Sequence, residues 1–270
     1  MNVPTLPASS KAIELYIARG YEKGLKGGTV RSGVAAIAFY HKRHGLTDPT
    51  RTYRIARMLK GVGNCSKISR KLLPIGFNLL IKLVDHTSSV VGKLEKACLK
   101  AVFLLQYYGC LRIGELVKSG KAKHMITMEN LKFFFDGNAL TGVKITLATF
   151  KHSDKEAEFK IRATGTAYCP VAALLDFCEL RGLAPGRVFL QKNRSEFARD
   201  FIAKHLKVFV GRLGLDVGLH NTHSFRIGRA SDMAAQGVPD HIIKKTGRWK
   251  SSAYTRYIRF DDFTVPDPAV

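Results

Sequence analysis

The chain has 270 residues, 46% of them hydrophobic, which is enough to bury a substantial core in one large domain or two ordinary ones. Its 44 Lys and Arg against 21 Asp and Glu leave a net charge of +23, which favours a polyanionic partner such as nucleic acid. No apolar run approaches the roughly 18 residues that span a bilayer, and the sequence has no secretion signal, which disfavours membrane and secreted proteins.

The first 86 residues are predicted to form four helices, at 11–22, 28–44, 51–61 and 75–86. Thr29 is expected to cap the second helix, and Asp48-Pro49-Thr50 to give the third a cap and a first-turn proline. The polar stretch at 85–89 ends this helical set and predicts a domain boundary. We therefore assign 1–86 to a helical amino-terminal domain and 87–270 to a second domain.

Positive charge is denser in the amino-terminal part, which has 15 basic residues and 4 acidic ones. Arg51, Arg54 and Arg57 recur every third residue and are expected on neighbouring positions of one helix face. We predict a surface that follows nucleic-acid phosphates, formed by Lys42, Arg43, Arg51, Arg54, Arg57 and Lys60. A merely solvated helix face is the competing interpretation.

The second region combines helices with a small sheet. Residues 94–108 have helical apolar spacing, which breaks at Gly109 just before Arg112. Strands at 131–135, 143–147 and 158–162 are predicted to form an antiparallel meander, with Lys151 at the tip of its second turn. Further helices are expected at 170–182, 195–213, 223–236, 238–246 and 250–258. The predicted fold class is mainly α with a small antiparallel β-sheet.

The carboxy-terminal part brings a base, cations and a phenol close together. His223 and Arg226 are three residues apart on a predicted helix, and Arg248, Trp249 and Tyr257 follow. A phenol ionises near about pH 10, so a tyrosine nucleophile needs a neighbouring base or positive charge. Guanidinium groups bind phosphate oxygens in bidentate fashion. Together, the histidine, the arginines and the tyrosine are therefore suited to attack on a phosphodiester. Each residue taken alone is more often an ordinary surface or core side chain.

The order of these residues resembles that of the tyrosine recombinases. In that family an arginine lies in a G-L-R-x-x-E-L pattern, a lysine follows on a β-hairpin, and an H-x-x-R motif precedes a glycine that lies ten residues before the nucleophile. Each position is matched in order, by Gly109-Cys-Leu-Arg112, Lys151, His223, Arg226, Gly247 and Tyr257. The combination is specific for the superfamily.

The resemblance covers nearly the whole chain. The segments Gly45–Thr50 and Leu59–Gly61 are similar to the core-binding domain of mobile-element integrases. The segments Cys169–Val171 and Gly247–Ile258 are similar to the DIRS-type and Crypton-type eukaryotic branch. The resemblance implies that residues 1–86 form a helical, SAM-like core-binding domain and that residues 87–270 form the catalytic domain.

The resemblance also implies a role for each matched residue. Tyr257 attacks the scissile phosphate to form a 3′-phosphotyrosine and a free 5′-hydroxyl. Arg112 and Arg226 bind the non-bridging oxygens, His223 assists proton transfer, and Lys151 protonates the leaving oxygen. We expect Glu115 to orient local structure. The phosphotyrosine conserves the phosphodiester, so no metal, ATP or other small-molecule cofactor is expected.

Three positions keep alternatives open. Family members usually carry His or Trp directly after the glycine, whereas Arg248 stands there and Trp249 comes next. The contact that this His or Trp makes is expected from the indole N–H of Trp249 or from the charge of Arg248. A purely structural role for Trp249 in the core is an equal alternative. Lys155 lies in the same turn as Lys151. Tyr254 precedes Tyr257 by three residues, and we expect it to serve in packing or DNA contact.

These observations predict a site-specific DNA recombinase or integrase, intracellular and located at DNA, in the nucleus if the source is eukaryotic. Its expected partners are double-stranded DNA and further copies of itself, as a homo-oligomer, a tetramer, on DNA, with no membrane. A type IB topoisomerase-like enzyme and a degenerate, domesticated DNA-binding protein of the same fold are the alternatives. A passive RNA-binding protein fits the composition but not the motifs.

Overall fold

A computed structural model describes residues 6–65, 71–120, 125–147 and 156–259. The chain divides into two compact units, Met1–Arg70 and Lys71–Val270. The smaller unit contains three helices, α1 (Ser10–Glu22), α2 (Gly27–Arg43) and α3 (Tyr53–Cys65). Their periodic apolar residues pack together in one core, as the sequence pattern predicts, with Ile13, Ile17, Val30 and Ile55 fully buried.

Two predicted helix caps in this unit are wrong. Helix α2 begins at Gly27, so Thr29 lies inside the first turn and does not cap it. The Asp48 carboxylate accepts hydrogen bonds from the Thr50 N–H (3.0 Å) and hydroxyl (2.7 Å), which forms a separate turn. Helix α3 therefore begins only at Tyr53, and Arg51 precedes the helix that was predicted to carry it.

The larger unit holds the remaining elements. Its helices are α4 (Phe77–His86), α5 (Lys93–Tyr108), α6 (Ile113–Leu116), α7 (Pro170–Arg181), α8 (Arg199–Arg212), α9 (Ser224–Ala235) and α10 (Asp240–Gly247). Its strands are β1 (Leu131–Asp136), β2 (Ala139–Leu147) and β3 (Ala157–Arg162), and they form one antiparallel sheet in the order β1-β2-β3. The predicted fold class, mainly α with a small antiparallel sheet, is confirmed.

Helix α5 lies at the centre of the larger core, where ten of its residues are buried. Helix α7 packs against it, and its first turn holds Pro170, which has no backbone N–H to lose there. From the sheet, Val143, Ile145 and Leu147 point into the same core, which confirms the alternation read from the sequence. The chain predicted as a helix at 250–258 forms only a 3₁₀ helix, Ser252–Arg256.

Helix α4 belongs to the larger unit, although it was predicted to end the amino-terminal domain. Its apolar residues Leu80, Leu83 and Val84 are buried in the larger core. The Phe77 N–H at its start donates to the Asp232 carboxylate at 2.8 Å. The compact units therefore divide between residues 70 and 71, and the expected boundary at 86 lies one helix too late because α4 buries its apolar face against α5.

The helices that the structure describes include none that is both long and apolar enough to cross a membrane.

Candidate active site

The amino-terminal end of α9 carries the His223 and Arg226 pair. His223 precedes the helix, and its backbone N–H donates to the Asn221 side-chain oxygen at 2.7 Å. The His223 side chain is exposed, whereas Arg226, one turn into the helix, is only 1% exposed. The three-residue spacing thus places an accessible imidazole next to a buried cation.

Arg226 joins three segments of the larger unit. Its two terminal nitrogens donate to the backbone carbonyls of Cys110 and Gly247. Its guanidinium carbon lies 4.4 Å from the ring centroid of Trp249 and 5.5 Å from that of Tyr257. Burial lowers the pKa of Arg226, because a charge is disfavoured away from water. Its two hydrogen-bond acceptors are neutral carbonyls, and the nearby Glu115 carboxylate stabilises its charge through space.

Arg112 and Arg248 share the carboxylate of Glu115. Glu115 accepts from Arg112 at both its backbone N–H (2.9 Å) and its side chain (3.0 Å). Its Oε2 atom, which accepts from the Arg112 backbone N–H, also forms a 2.7 Å ion pair with Arg248. The side chains of Glu115 and Arg248 are 4% and 7% exposed, and that of Arg112 is 26% exposed. Glu115 therefore orients Arg112, as expected, and in addition holds Arg248.

The backbone turns sharply after α10 and separates Arg248 from Trp249. Arg248 has left-handed backbone angles (φ 56°, ψ 40°). Its side chain runs to Glu115 and stacks on Phe159 at 4.7 Å, while Trp249 lies on the other side, over Arg226. Gly247 is needed here, since a Cβ atom on it would lie 1.8 Å from the Trp249 ring.

Tyr257 completes the site next to His223. Its ring centroid lies 5.1 Å from that of His223 and 4.9 Å from that of Trp249. The Ser231 hydroxyl lies 3.3 Å from the Tyr257 carbonyl and accepts from the Arg259 N–H at 2.8 Å. Helix α9 therefore fixes the backbone around Tyr257 as well as supplying His223 and Arg226.

Tyr254 has a different environment. It is 4% exposed, and its hydroxyl donates to the Asp240 carboxylate. That hydrogen bond, with burial, raises the pKa of Tyr254 and so disfavours the phenolate. The prediction that Tyr254 serves in packing agrees with this placement.

The structure thus brings together most of the predicted catalytic set. His223, Arg226, Trp249 and Tyr257 are in direct contact, and Arg112 is linked to Arg248 through Glu115. Lys151 and its alternative Lys155 lie outside the described residues. No group of three or more His, Cys, Asp or Glu side chains that could hold a metal occurs among the described residues.

The basic residues predicted to contact DNA lie in the smaller unit, where they are exposed. Lys42 and Arg51 both pair with Asp48 at 3.4 Å, and Arg54 pairs with Glu14 at 3.7 Å. Arg54, Arg57 and Lys60 lie on α3, whereas Lys42 and Arg43 end α2. The six cations therefore come from two helices and a turn, and the ion pairs of Lys42, Arg51 and Arg54 hold these exposed cations only weakly.

Two residues of the site were not singled out from the sequence. Cys110 has a positive φ of 45° and presents its carbonyl to Arg226. Ser231 anchors the Tyr257 backbone from one side of α9. A cysteine gives no sequence signal for a left-handed conformation, and a serine inside a helix gives none for a distant contact. The sequence therefore does not predict the contact of Cys110 with Arg226 or that of Ser231 with Tyr257.

No protein-family model and no curated protein matches the chain by sequence. Among solved structures, it is similar to the Tn1549 transposon integrase in complex with circular intermediate DNA, at 13% identity and a TM-score of 0.60, over 97% of this chain and 84% of that one. It is also similar to the XerH site-specific recombinase bound to palindromic difH substrate, at 13% identity and a TM-score of 0.61, over 94% of this chain and 69% of that one. The chain is similar as well to a lambda integrase dimer bound to a COC′ core site, at 13% identity and a TM-score of 0.56, over 95% of this chain and 66% of that one. The chain therefore has the fold of the tyrosine recombinases and integrases.

Proposed function

We propose that the protein is a site-specific DNA recombinase or integrase that cleaves and rejoins DNA strands through a 3′-phosphotyrosine at Tyr257. The observation that carries the proposal is the contact of Tyr257 with His223 and Arg226, within the fold of enzymes of this class. A base and a cation beside one phenol are what a tyrosine nucleophile requires at neutral pH. We propose that the protein belongs to the DIRS-type or Crypton-type branch, and this placement rests on sequence motifs alone.

In the proposed reaction the Tyr257 oxygen attacks the scissile phosphorus while the bond to the 5′-oxygen breaks. The exposed His223 accepts the phenolic proton, and Lys151, or Lys155 in its place, protonates the leaving oxygen. The reverse sequence lets a 5′-hydroxyl of a second strand attack the phosphotyrosine. The energy of the phosphodiester is conserved throughout, so the chemistry needs no metal or ATP.

Arg112 and Arg226, the two arginines that match the family pattern, are proposed to act differently on the phosphate. Arg112, with its side chain 26% exposed, is suited to bind a non-bridging oxygen directly. Arg226 gives one N–H of each terminal nitrogen to a carbonyl and keeps a second N–H on each. Because the residue is only 1% exposed, a direct bond to phosphate requires the site around it to open. Its buried positive charge stabilises the developing negative charge in either arrangement.

Trp249 is proposed to fill the position that His or Trp occupies after the glycine in related enzymes. Its indole N–H is buried and has no hydrogen-bond partner among the described residues. The ring contacts Tyr257, so this donor is close to the proposed nucleophile. Arg248, which pairs with Glu115, is then a positioning residue for Arg112.

We further propose that the smaller unit contacts double-stranded DNA through Lys42, Arg43, Arg51, Arg54, Arg57 and Lys60. Lys42, Arg51 and Arg54 form ion pairs at 3.4 and 3.7 Å, and their own side chains are exposed, so these cations can exchange a carboxylate for a phosphate at small cost. Strand exchange needs two pairs of cleaved strands, so the active form on DNA is proposed to be a homo-oligomer, a tetramer.

The decisive experiment uses a nicked suicide substrate carrying the recognition site, and it measures the covalent protein–DNA adduct. The wild type is expected to form the adduct. Tyr257→Phe is expected to lose it, and Tyr254→Phe, the matched control, is expected to keep it. If Tyr254→Phe abolishes the adduct and Tyr257→Phe does not, the assignment of the nucleophile is refuted.

The same preparation separates the alternatives. Relaxation of supercoiled plasmid regardless of sequence favours a type IB topoisomerase-like enzyme. Sequence-specific binding without any adduct favours a degenerate, domesticated DNA-binding protein, for which the capping of Arg226 by two carbonyls is the relevant observation. Product formation that requires paired sites favours recombination.

A further inference from the structure

The outer face of the three-stranded sheet carries a row of lysines. In the strand register Lys132 of β1 lies opposite Lys144 of β2, which lies opposite Lys160 of β3. Neighbouring residues on each strand, such as Val143 and Ile161, point into the core. Because side chains alternate between the two faces, the three lysines point away from the core, side by side.

This lysine row is unfavourable for the free protein. Like charges directly opposite each other on neighbouring strands destabilise a sheet. Among the described carboxylates, Glu158 is the one that forms an ion pair with the row, to Lys144 at 2.7 Å. That pair leaves Lys132 and Lys160 without an ion pair of their own among the described residues, while Glu158 attracts Lys160 at longer range.

The two outer lysines of the row both lie close to the ring of Phe134. The ammonium groups of Lys132 and Lys160 lie 5.8 Å and 5.6 Å from the centroid of Phe134, within the range of cation–π attraction. Gly142 lies opposite Phe134 on the middle strand. Since glycine has no side chain, the lysine of β3 can reach the ring of β1 across β2. The arrangement holds two cations together rather than letting them separate.

The lysine row continues toward the candidate active site. A cleft of about 450 Å³ is lined by Lys144 and Lys160 of the row together with Lys245 and Arg248, and Glu158 is the carboxylate among its lining residues. Lys245 is exposed, and Arg248 is the residue that holds Glu115. Positive charge therefore extends from the outer face of the sheet to the edge of the site.

We propose that the lysine row binds the phosphate backbone of duplex DNA beside the bond cleaved at Tyr257. The inference rests on the proposed function and adds to it a second contact surface, in the larger unit. Strands lie about 4.8 Å apart, so the row is about 10 Å long. Over about 10 Å of helix axis one DNA strand presents about three phosphates. The partner is identified by the charge of the row, and no base-specific contact is implied.

The test is the double variant Lys132→Gln/Lys160→Gln, which removes the two unpaired cations and leaves the Lys144–Glu158 pair intact. With duplex DNA containing the recognition site, we expect the Kd to rise about tenfold or more at physiological salt, and the slope of log K against log salt to become shallower by about 1.8. The melting temperature is expected to stay the same or rise, since the like-charge repulsion is relieved.

The matched control is Lys204→Gln/Lys207→Gln, which removes two exposed charges from α8 in the same unit. It is expected to bind DNA nearly as well as the wild type. An unchanged Kd and salt slope in the sheet variant, or an equal loss in the control, refutes the lysine row as a DNA surface. A loss of binding to phosphatidylserine vesicles, with DNA binding unchanged, refutes it in favour of a membrane surface.

The outcome is separable from that of the proposed function. If the wild type forms no covalent adduct but the sheet variant still loses DNA affinity and salt slope, the recombinase proposal fails and the surface stands. If the wild type forms the adduct and the sheet variant binds DNA normally, the recombinase proposal stands and the surface is refuted.

Discussion

Replacing Glu115 by glutamine tests whether one buried carboxylate organises the arginines of the site. Glu115→Gln preserves the shape of the side chain but removes the charge that faces Arg112 at 3.0 Å and Arg248 at 2.7 Å. Arg248 is then left buried with neutral acceptors alone, among them the carbonyls of Gly109 at 3.3 Å and Cys110 at 3.5 Å. We expect loss of both stability and adduct formation.

The magnitude follows from burial. Side chains that are 4% and 7% exposed form a buried pair, and removing one partner of such a pair costs about 3–5 kcal/mol. Coulomb's law gives a similar figure, about 4 kcal/mol for unit charges 4 Å apart at an effective dielectric constant of 20. That is a large share of the roughly 5–15 kcal/mol by which domains are stable.

The assay is urea unfolding followed through Trp249, the single tryptophan of the chain, which lies inside the site. Glu196→Gln is the matched control, because Glu196 also faces two cations, Lys118 and Arg187, but its side chain is 28% exposed. We expect the control to cost less than about 1 kcal/mol.

A double-mutant cycle with Arg248→Met completes the test. The double variant Glu115→Gln/Arg248→Met is expected to be more stable than the sum of the single changes predicts, by about 1–3 kcal/mol, because no unpaired cation remains buried. Additive effects to within about 0.5 kcal/mol, or a loss no greater than that of Glu196→Gln, refute the reasoning.

Three further predictions concern packing and pH. Gly228→Ala should lower the free energy of unfolding by about 3 kcal/mol in urea titrations, because the new Cβ would lie 1.9 Å from the Ile75 carbonyl oxygen, a backbone atom. Gly247→Ala should displace Trp249, which a shift in its fluorescence and slower adduct formation would reveal. Burial, with a hydrogen bond to a carboxylate, raises the pKa of Tyr107, so its stabilisation is complete below the unfolded tyrosine pKa of about 10 and is lost as the pH rises above it. The free energy of unfolding should therefore fall between about pH 10 and 12, and less so in Tyr107→Phe.

Local patterns predicted the elements of this fold because they depend on short-range physics. The alternation of Val143, Ile145 and Leu147 determined which face of β2 meets the core. The i,i+3 spacing of His223 and Arg226 placed both at one end of α9. These inferences needed only the periods of strands and helices.

Other features depend on contacts that no local pattern encodes. Arg248 and Trp249 are adjacent in sequence, and their separation follows from the left-handed backbone at Arg248, which non-glycine residues seldom adopt. The periodicity of α4 indicated an apolar face but not which core would receive it. Whether Arg226 is exposed or buried depends on carbonyls at Cys110 and Gly247, both far away along the chain.

The chain enters the larger unit along the helix that carries the candidate chemistry. The Ile75 N–H donates to the Ser224 carbonyl at 3.0 Å, and the Phe77 N–H to Asp232 at 2.8 Å, at opposite ends of α9. Gly228, between them, has its Cα against the Ile75 backbone. Residues 75–77 are therefore held against α9 at three points, so any shift of this short segment acts first on the helix that positions His223 and Arg226.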